Sequence, residues 1–207
     1  MNEHKLFLNG EWLDSASGET FEDINPATLE PIGLFQKGSM DDVNHAVDSA
    51  EEAFDSWSST PAPQRAKILY RAARLLEERK EELARLMTIE NGKVLLEARG
   101  DVQEAIDMAY YAAGEGRRLF GETTPSELPN KFCMTVRRPI GVVGLITPFN
   151  FPLAIPAWKI MPALISGNTM VLKPSSDTPL LAVELIKILS HAGVPGGVIN
   201  LVTGVGG

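Results

Sequence analysis

Cysteine is nearly missing: Cys133 is the only one among 207 residues, which excludes an internal disulfide framework and makes a cytoplasmic location the default expectation. Positive charge is short as well, with 19 Lys and Arg against 27 Asp and Glu and a formal net charge of -8. No basic excess is left to neutralise phosphates, so nucleic acid and anionic membrane surfaces are not expected partners. Arg71, Arg74, Arg117 and Arg118 are interspersed with acids and read as solvated helix faces. No apolar run approaches the roughly 20 residues of a membrane span, and the first five residues do not form a secretory signal. No sequence repeats at a fixed period, which excludes a solenoid. No metal ligand set is assigned.

What is present begins with periodicity. Gly141 to Thr147 is a short apolar, β-branched run stopped by Pro148, read as a buried strand. Ile155, Trp158, Met161, Leu164 and Ile165 then recur at helical spacing, closed by Gly167-Asn168 ahead of a second apolar run, Thr169 to Leu172. Ser175 to Pro179 reads as a helix start leading into Leu180, Val183, Ile186 and Leu189, and Val198 to Val202 is a third run. The pattern is βαβαβ with short connections. It predicts a parallel, buried sheet with right-handed crossovers, one mononucleotide-binding half of a doubly wound fold. The glycine triplet of the standard dinucleotide turn is missing, because the first turn reads Thr147-Pro148-Phe149-Asn150-Phe151-Pro152. That turn instead offers Asn150 just past a strand's carboxyl end, where open α/β sheets place ligands.

Ahead of the sheet, Lys5 to Trp12 alternates around an Asn9-Gly10 turn, and Thr20 to Ile24 and Pro31 to Phe35 are extended; these pieces are expected to pack as an outer layer. Ser39 caps a helix running through Trp57, with Asp41, Asp42, Asp48 and Glu51 outward and His45 on the polar side. Further amphipathic helices carry Ile68 to Leu76, Leu83 to Ile89 (ended by Asn91-Gly92), and Ile106 to Phe120, where Tyr110 and Tyr111 read as core. Phe132 to Arg137 alternates as a strand.

The pieces Ile146 to Pro152, Trp158-Lys159, Pro162-Ala163-Leu164, Gly167-Asn168-Thr169, Leu172 to Ser175 and Asn200 to Gly204 stand in an order and at spacings that resemble the NAD(P)-dependent aldehyde dehydrogenases. Phe7 to Trp12 and Ile24 to Thr28 match too, so the resemblance covers nearly the whole chain. It implies an α/β, aldehyde dehydrogenase-like fold, truncated: residues 1–121 as amino-terminal strands and helical layer, 122–138 as an oligomerisation ribbon, and 139–207 as the first half of a Rossmann-like sheet. The ribbon and the last strand of the sheet are expected to expose edges, and exposed apolar edges invite self-association.

The resemblance implies oxidation of an aldehyde to an acid. A cysteine thiolate adds to the carbonyl, hydride passes to the nicotinamide, and a glutamate activates the water that releases the thioester. Asn150 matches the oxyanion donor of that reaction, its amide NH2 donating to developing charge. Ile146, Thr147, Pro148 and Phe149 match the segment lining the cofactor, Phe149 standing where many relatives have tryptophan. Lys173 matches the lysine on the adenosine ribose, and Gly204 and Gly206 a turn near the adenine. Ser176 falls where many NAD-preferring relatives carry glutamate, so that NAD or NADP is admissible. Phe151, Ile155 and Trp158 fall on the substrate tunnel. The nucleophile and the base are implied to lie beyond residue 207, and Cys133 reads as a structural thiol. The chain alone is therefore expected to be inactive, with a homo-oligomer expected at full length. A non-catalytic nucleotide-binding or assembly remnant and a CoA-acylating relative are the alternatives.

Overall fold

The computed structural model describes residues 2–206. The chain opens with β1 (Glu3–His4), β2 (Leu6–Leu8), β3 (Glu11–Leu13), β4 (Thr20–Ile24) and β5 (Pro31–Gln36). Four helices follow: α1 (Met40–Ser59), α2 (Ala62–Glu78), α3 (Lys80–Asn91) and α4 (Leu95–Glu115). A small ribbon of β6 (Thr123–Thr124) and β7 (Cys133–Met134) leads into β8 (Val142–Ile146), α5 (Ala154–Ser166), β9 (Thr169–Lys173), α6 (Leu180–Ala192) and β10 (Ile199–Leu201). The expected βαβαβ unit is there: β8 pairs in parallel with β9, and β9 with β10.

The amino-terminal hairpin is not an outer layer. Asn9 and Gly10, with φ of 50° and 87°, form the tight turn that lets β2 and β3 pair antiparallel. β2 then adds antiparallel to β10, giving the order β3-β2-β10-β9-β8. Asn200, wholly buried, fixes this junction: its Oδ1 accepts from the Asn9 amide at 2.9 Å, and its Nδ2 donates to the Gly197 carbonyl at 2.8 Å. The last strand is thus covered, and the open edge of the parallel part is β8, the first. β8 is accordingly half-exposed rather than buried, with only Leu145 fully inside.

Strand alternation sorts the layers. Met170 and Leu172 of β9 join Ile199 and Leu201 of β10 and Leu145 of β8 in the main core with α5 and α6, behind which α2 and α4 pack. Val171 points the other way, packing with Leu6, Leu8, Ala46 and Val202, so α1 covers the opposite face. Ser39 and Asp42 close that helix's amino end as a reciprocal capping box, and Asp42, expected outward, is buried because its carboxylate also accepts from Ser15 Oγ at 2.7 Å and the Ala16 amide at 3.0 Å.

Other expectations shift for similar reasons. α4 begins at Leu95, well before Ile106, and ends before Phe120. Tyr111 is exposed, not core, while Tyr110 is half-buried and donates to Glu77 Oε2 at 2.7 Å. The expected strand from Phe132 to Arg137 shrinks to Cys133–Met134, and Cys133, read as a structural thiol, is exposed on it. The start of α6 is not capped by Ser175, Asp177 or Thr178: the Leu180 and Leu181 amides donate to the carboxylate of Glu90, ninety positions earlier. Among the described residues no helix is long and apolar enough to cross a membrane.

Candidate functional site

The carboxyl ends of the parallel strands open on the α1 side of the sheet into a cavity of about 640 Å³. Ile146 ends β8 there, Lys173 ends β9, and Gly204 and Gly206 follow β10. Val43 and Val47 of α1 and Val171 and Val202 supply apolar wall. The segment after β10 is held against the approach to α1, since Gly38 N donates to the Thr203 carbonyl at 2.8 Å and Thr203 Oγ1 donates to the Gln36 carbonyl at 2.6 Å.

Lys173 is the cation of this cavity. Its Nζ donates to the carbonyls of Pro174 at 2.9 Å and Gly204 at 3.0 Å, so it fixes the Gly204 turn and leaves one of three N–H groups unused among the described residues. Burial pulls its pKa below the ordinary lysine value, with the carboxylate of Asp177 opposing. Ser39 and Met40 also line the cavity, but the Ser39 and Asp42 side chains already occupy two amides at the start of α1, which leaves the charged role to Lys173.

The loop after β8 carries the other candidate residues. Thr147 is buried, its amide donating to the Lys173 carbonyl at 3.2 Å and its Oγ1 having no partner among the described residues. Pro148, Phe149 and Asn150 are exposed, and the Asn150 side-chain amide makes no hydrogen bond among the described residues. Phe151 stacks on Trp158 with centroids 6.2 Å apart and planes 27° from parallel, and Ile155 is half-buried on the turn between them. Lys159 reaches back to donate to the Ile146 carbonyl at 2.7 Å. Trp158 also borders a shallow hollow with Tyr111 and Asp107.

Ser176 does not join the Lys173 cavity. With Phe149 it lines a separate cavity of about 230 Å³ beside Asp23, Glu90, Asp177 and Thr178. Burial raises the Asp23 carboxyl to about 7, with the charge of Asp177 adding and a hydrogen bond with Glu90 opposing, and burial with the Asp23 charge holds Glu90 well above the ordinary carboxyl range. Neither Asp23 oxygen has a donor among the described residues, so a proton shared with Glu90 is the natural one. The folded state then binds more protons than the unfolded one, whose Asp ionises near pH 4. Stability from this pair is full below about pH 4 and is lost as pH rises through about 7. Asp23→Asn is expected to stabilise the chain by about 1–2 kcal/mol at pH 8, after allowance for screening, and by little at pH 4. Urea midpoints at the two pH values check this; equal effects at both would sink it.

Three residues escape a reading of the sequence: Asn91, Lys93 and Asp101. Asn91 Nδ2 donates to the Phe149 carbonyl at 2.9 Å, and Lys93 Nζ donates to the Asn150 carbonyl at 2.7 Å and to Asp101 Oδ2 at 2.9 Å. Asp101 did leave a trace, because it shares the helical spacing of Ala98, Val102, Ala105 and Ile106, and an acid on a buried stripe needs a partner.

A parallel βαβαβ unit with a cavity at the carboxyl ends of its strands, and no glycine triplet in its first turn, defines an open α/β protein without the standard dinucleotide turn. The chain belongs to the aldehyde dehydrogenase family, whose model matches residues 12–207. It is 46% identical over 203 residues to an alpha-ketoglutarate semialdehyde dehydrogenase of Haloferax volcanii, covering 98% of this chain and 42% of that protein. It superposes on an NADP-dependent enzyme of E. coli with a TM-score of 0.97 at 42% identity, covering 100% of this chain and 43% of the other. A betaine aldehyde dehydrogenase point mutant of Staphylococcus aureus, in complex with NAD+, gives 0.96 at 36% identity, with coverage of 100% and 42%. The chain thus spans about 42% of the length of the curated relative.

Proposed function

We propose that this chain supplies the cofactor-binding floor and the oxyanion donor of an NAD- or NADP-dependent aldehyde dehydrogenase that oxidises an aldehyde to a carboxylic acid. The observation that carries the reading is the convergence of Ile146, Lys173, Gly204 and Gly206 on one cavity at the carboxyl ends of three parallel strands. Its size and apolar wall suit part of a dinucleotide, and the unused Lys173 N–H suits a ribose hydroxyl or phosphate. The bound nicotinamide supplies the hydride acceptor. Thr147 and Pro148 continue the strand end from that cavity toward the cofactor, Phe149 reaches it from the second cavity that it lines with Ser176, Asn150 acts on the carbonyl oxygen, and Phe151, Ile155 and Trp158 guide the aldehyde. Ser176, set apart beside Asp177, bears on the choice between NAD and NADP only if the ribose end reaches the second cavity.

In this reading the nucleophile and base come from outside the 207 residues, the chain alone does not turn over, and the complete enzyme is a cytoplasmic homo-oligomer assembled through the ribbon at residues 122–138. Residues 1–121 and 139–207 then form the helical layer and the first half of the cofactor sheet. The likeness to a semialdehyde dehydrogenase makes a semialdehyde the first substrate to assay.

The test is calorimetric titration of the chain with NAD and with NADP. Lys173→Ala is expected to weaken whichever binds by about 10- to 100-fold, the worth of one charge-assisted hydrogen bond. Unchanged affinity in the variant would remove Lys173 from the cofactor site.

A further inference from the structure

Asn150 makes no side-chain bond of its own among the described residues, and its backbone is gripped from outside the loop. Asn91 holds the Phe149 carbonyl at 2.9 Å, and Lys93 Nζ holds the Asn150 carbonyl at 2.7 Å while standing 4.2 Å from the centroid of the Phe151 ring. Three consecutive loop residues are therefore fixed by two residues of one turn. That turn depends on Gly92, whose φ of +80° and close approach to Pro26, 2.9 Å from where a Cβ would stand, admit no side chain.

Behind Lys93 stands Asp101, its side chain 0% exposed. Oδ2 accepts from Lys93 at 2.9 Å and Oδ1 from the Ala154 amide at 2.8 Å. Ala154 begins α5, so one carboxylate holds both the ammonium that grips the middle of the loop and the amide that starts the helix after it. A carboxylate is favoured at a helix amino end, and Lys93 supplies its counter-charge, so neither ion is buried alone. Burial pushes the Asp101 carboxyl above its ordinary value, against the pull of the Lys93 ammonium and the Ala154 amide.

We infer that Lys93 and Asp101, with Asn91, are positioning residues that set where the Asn150 amide stands relative to the reacting carbonyl oxygen. The inference rests on the reading of Asn150 as oxyanion donor. Such a donor acts only within about 2.7–3.1 Å of the oxygen, and a displacement of about 1 Å costs on the order of 100-fold in rate. An exposed side chain with no partner takes its direction from the backbone that carries it, and here that backbone is held at its own carbonyl by a buried ion pair.

The experiment is a kinetic double-mutant cycle in the complete enzyme, with Lys93→Met, Asn150→Ala and the pair. Lys93→Met is expected to lower kcat by about 10- to 100-fold with KM for the aldehyde changed less than about threefold. The double variant is expected to be no slower than Asn150→Ala, because a donor already removed cannot be misplaced. Unchanged kcat in Lys93→Met, or losses that multiply in full, would overturn the inference. Unchanged kcat in Asn150→Ala would instead remove the oxyanion reading beneath it. If Lys93→Met melts below the assay temperature, Asn91→Ala, which strands no buried charge, takes its place. Its expected loss of about 3- to 10-fold must likewise vanish in the Asn150→Ala background; a loss that persists there overturns the inference.

Discussion

Asn150→Ala is expected to cut kcat of the complete enzyme by about 100- to 1000-fold, with the folded state and cofactor affinity unchanged. The separation follows from where the residue sits. Its side chain is exposed and unbonded among the described residues, so its removal strands no buried group and should move stability by no more than about 0.5 kcal/mol. The amide NH2 therefore has no structural duty to confuse with a chemical one. Asn150→Asp sharpens the test, because it keeps the shape but replaces a donor with a carboxylate that repels developing negative charge. It should be at least as damaging as alanine. Steady-state kinetics beside a thermal melt decide the matter: a kcat within about threefold of the parent would show that the residue does not act on the oxyanion.

The second large effect concerns Arg65, which is 5% exposed. No carboxylate pairs with it among the described residues. Its Nε and Nη2 donate to the Ile165 carbonyl at 3.1 and 3.0 Å, and its Nη1 to the carbonyls of Trp57 at 3.3 Å, of Ser58 at 3.4 Å and of Thr60. These carbonyls close α1 and α5, so one guanidinium neutralises two negative helix ends that lie about a hundred residues apart in the chain. Burial pulls the Arg65 pKa down, yet a guanidinium stays charged. Arg65→Met keeps most of the stem's packing and removes the guanidinium from the Ile165, Ser58 and Thr60 carbonyls, while the Trp57 carbonyl keeps the Thr60 amide at 3.1 Å. The expected loss is about 3–5 kcal/mol, or a fall in Tm of roughly 6–20 °C for a chain of this size. Arg65→Lys should recover only part, since an ammonium is too compact to reach both helix ends. A loss below about 1 kcal/mol in urea unfolding would mean that water replaces the guanidinium.

Local pattern made much of the fold legible. The apolar runs from Gly141 to Thr147 and from Thr169 to Leu172, the helical spacing from Ile155 to Ile165, and the turn residues Asn9-Gly10, Gly167 and Gly193 act within a few residues of themselves, and each element formed where the pattern placed it. The strand-end residues Ile146, Lys173 and Gly204 were legible for the same reason, because strand ends and the βαβαβ order fix which end of the sheet they share. Ser176 stands apart from that group in a second cavity, since three residues past Lys173 the chain has already turned toward Glu90 and Asp23.

The sequence by itself determined the kinds and order of the elements, the family, and the residue types that gather at the strand ends. Tertiary structure alone decided that β2 rather than a bare edge lies beside β10, that Glu90 caps α6, that Arg65 joins α1 to α5, and that Lys93 and Asp101 hold the Asn150 loop. The physical reason is the same in each case. A buried donor, acceptor or strand edge must be satisfied, but any suitable group along the chain can do so, and only the packed fold selects which one arrives.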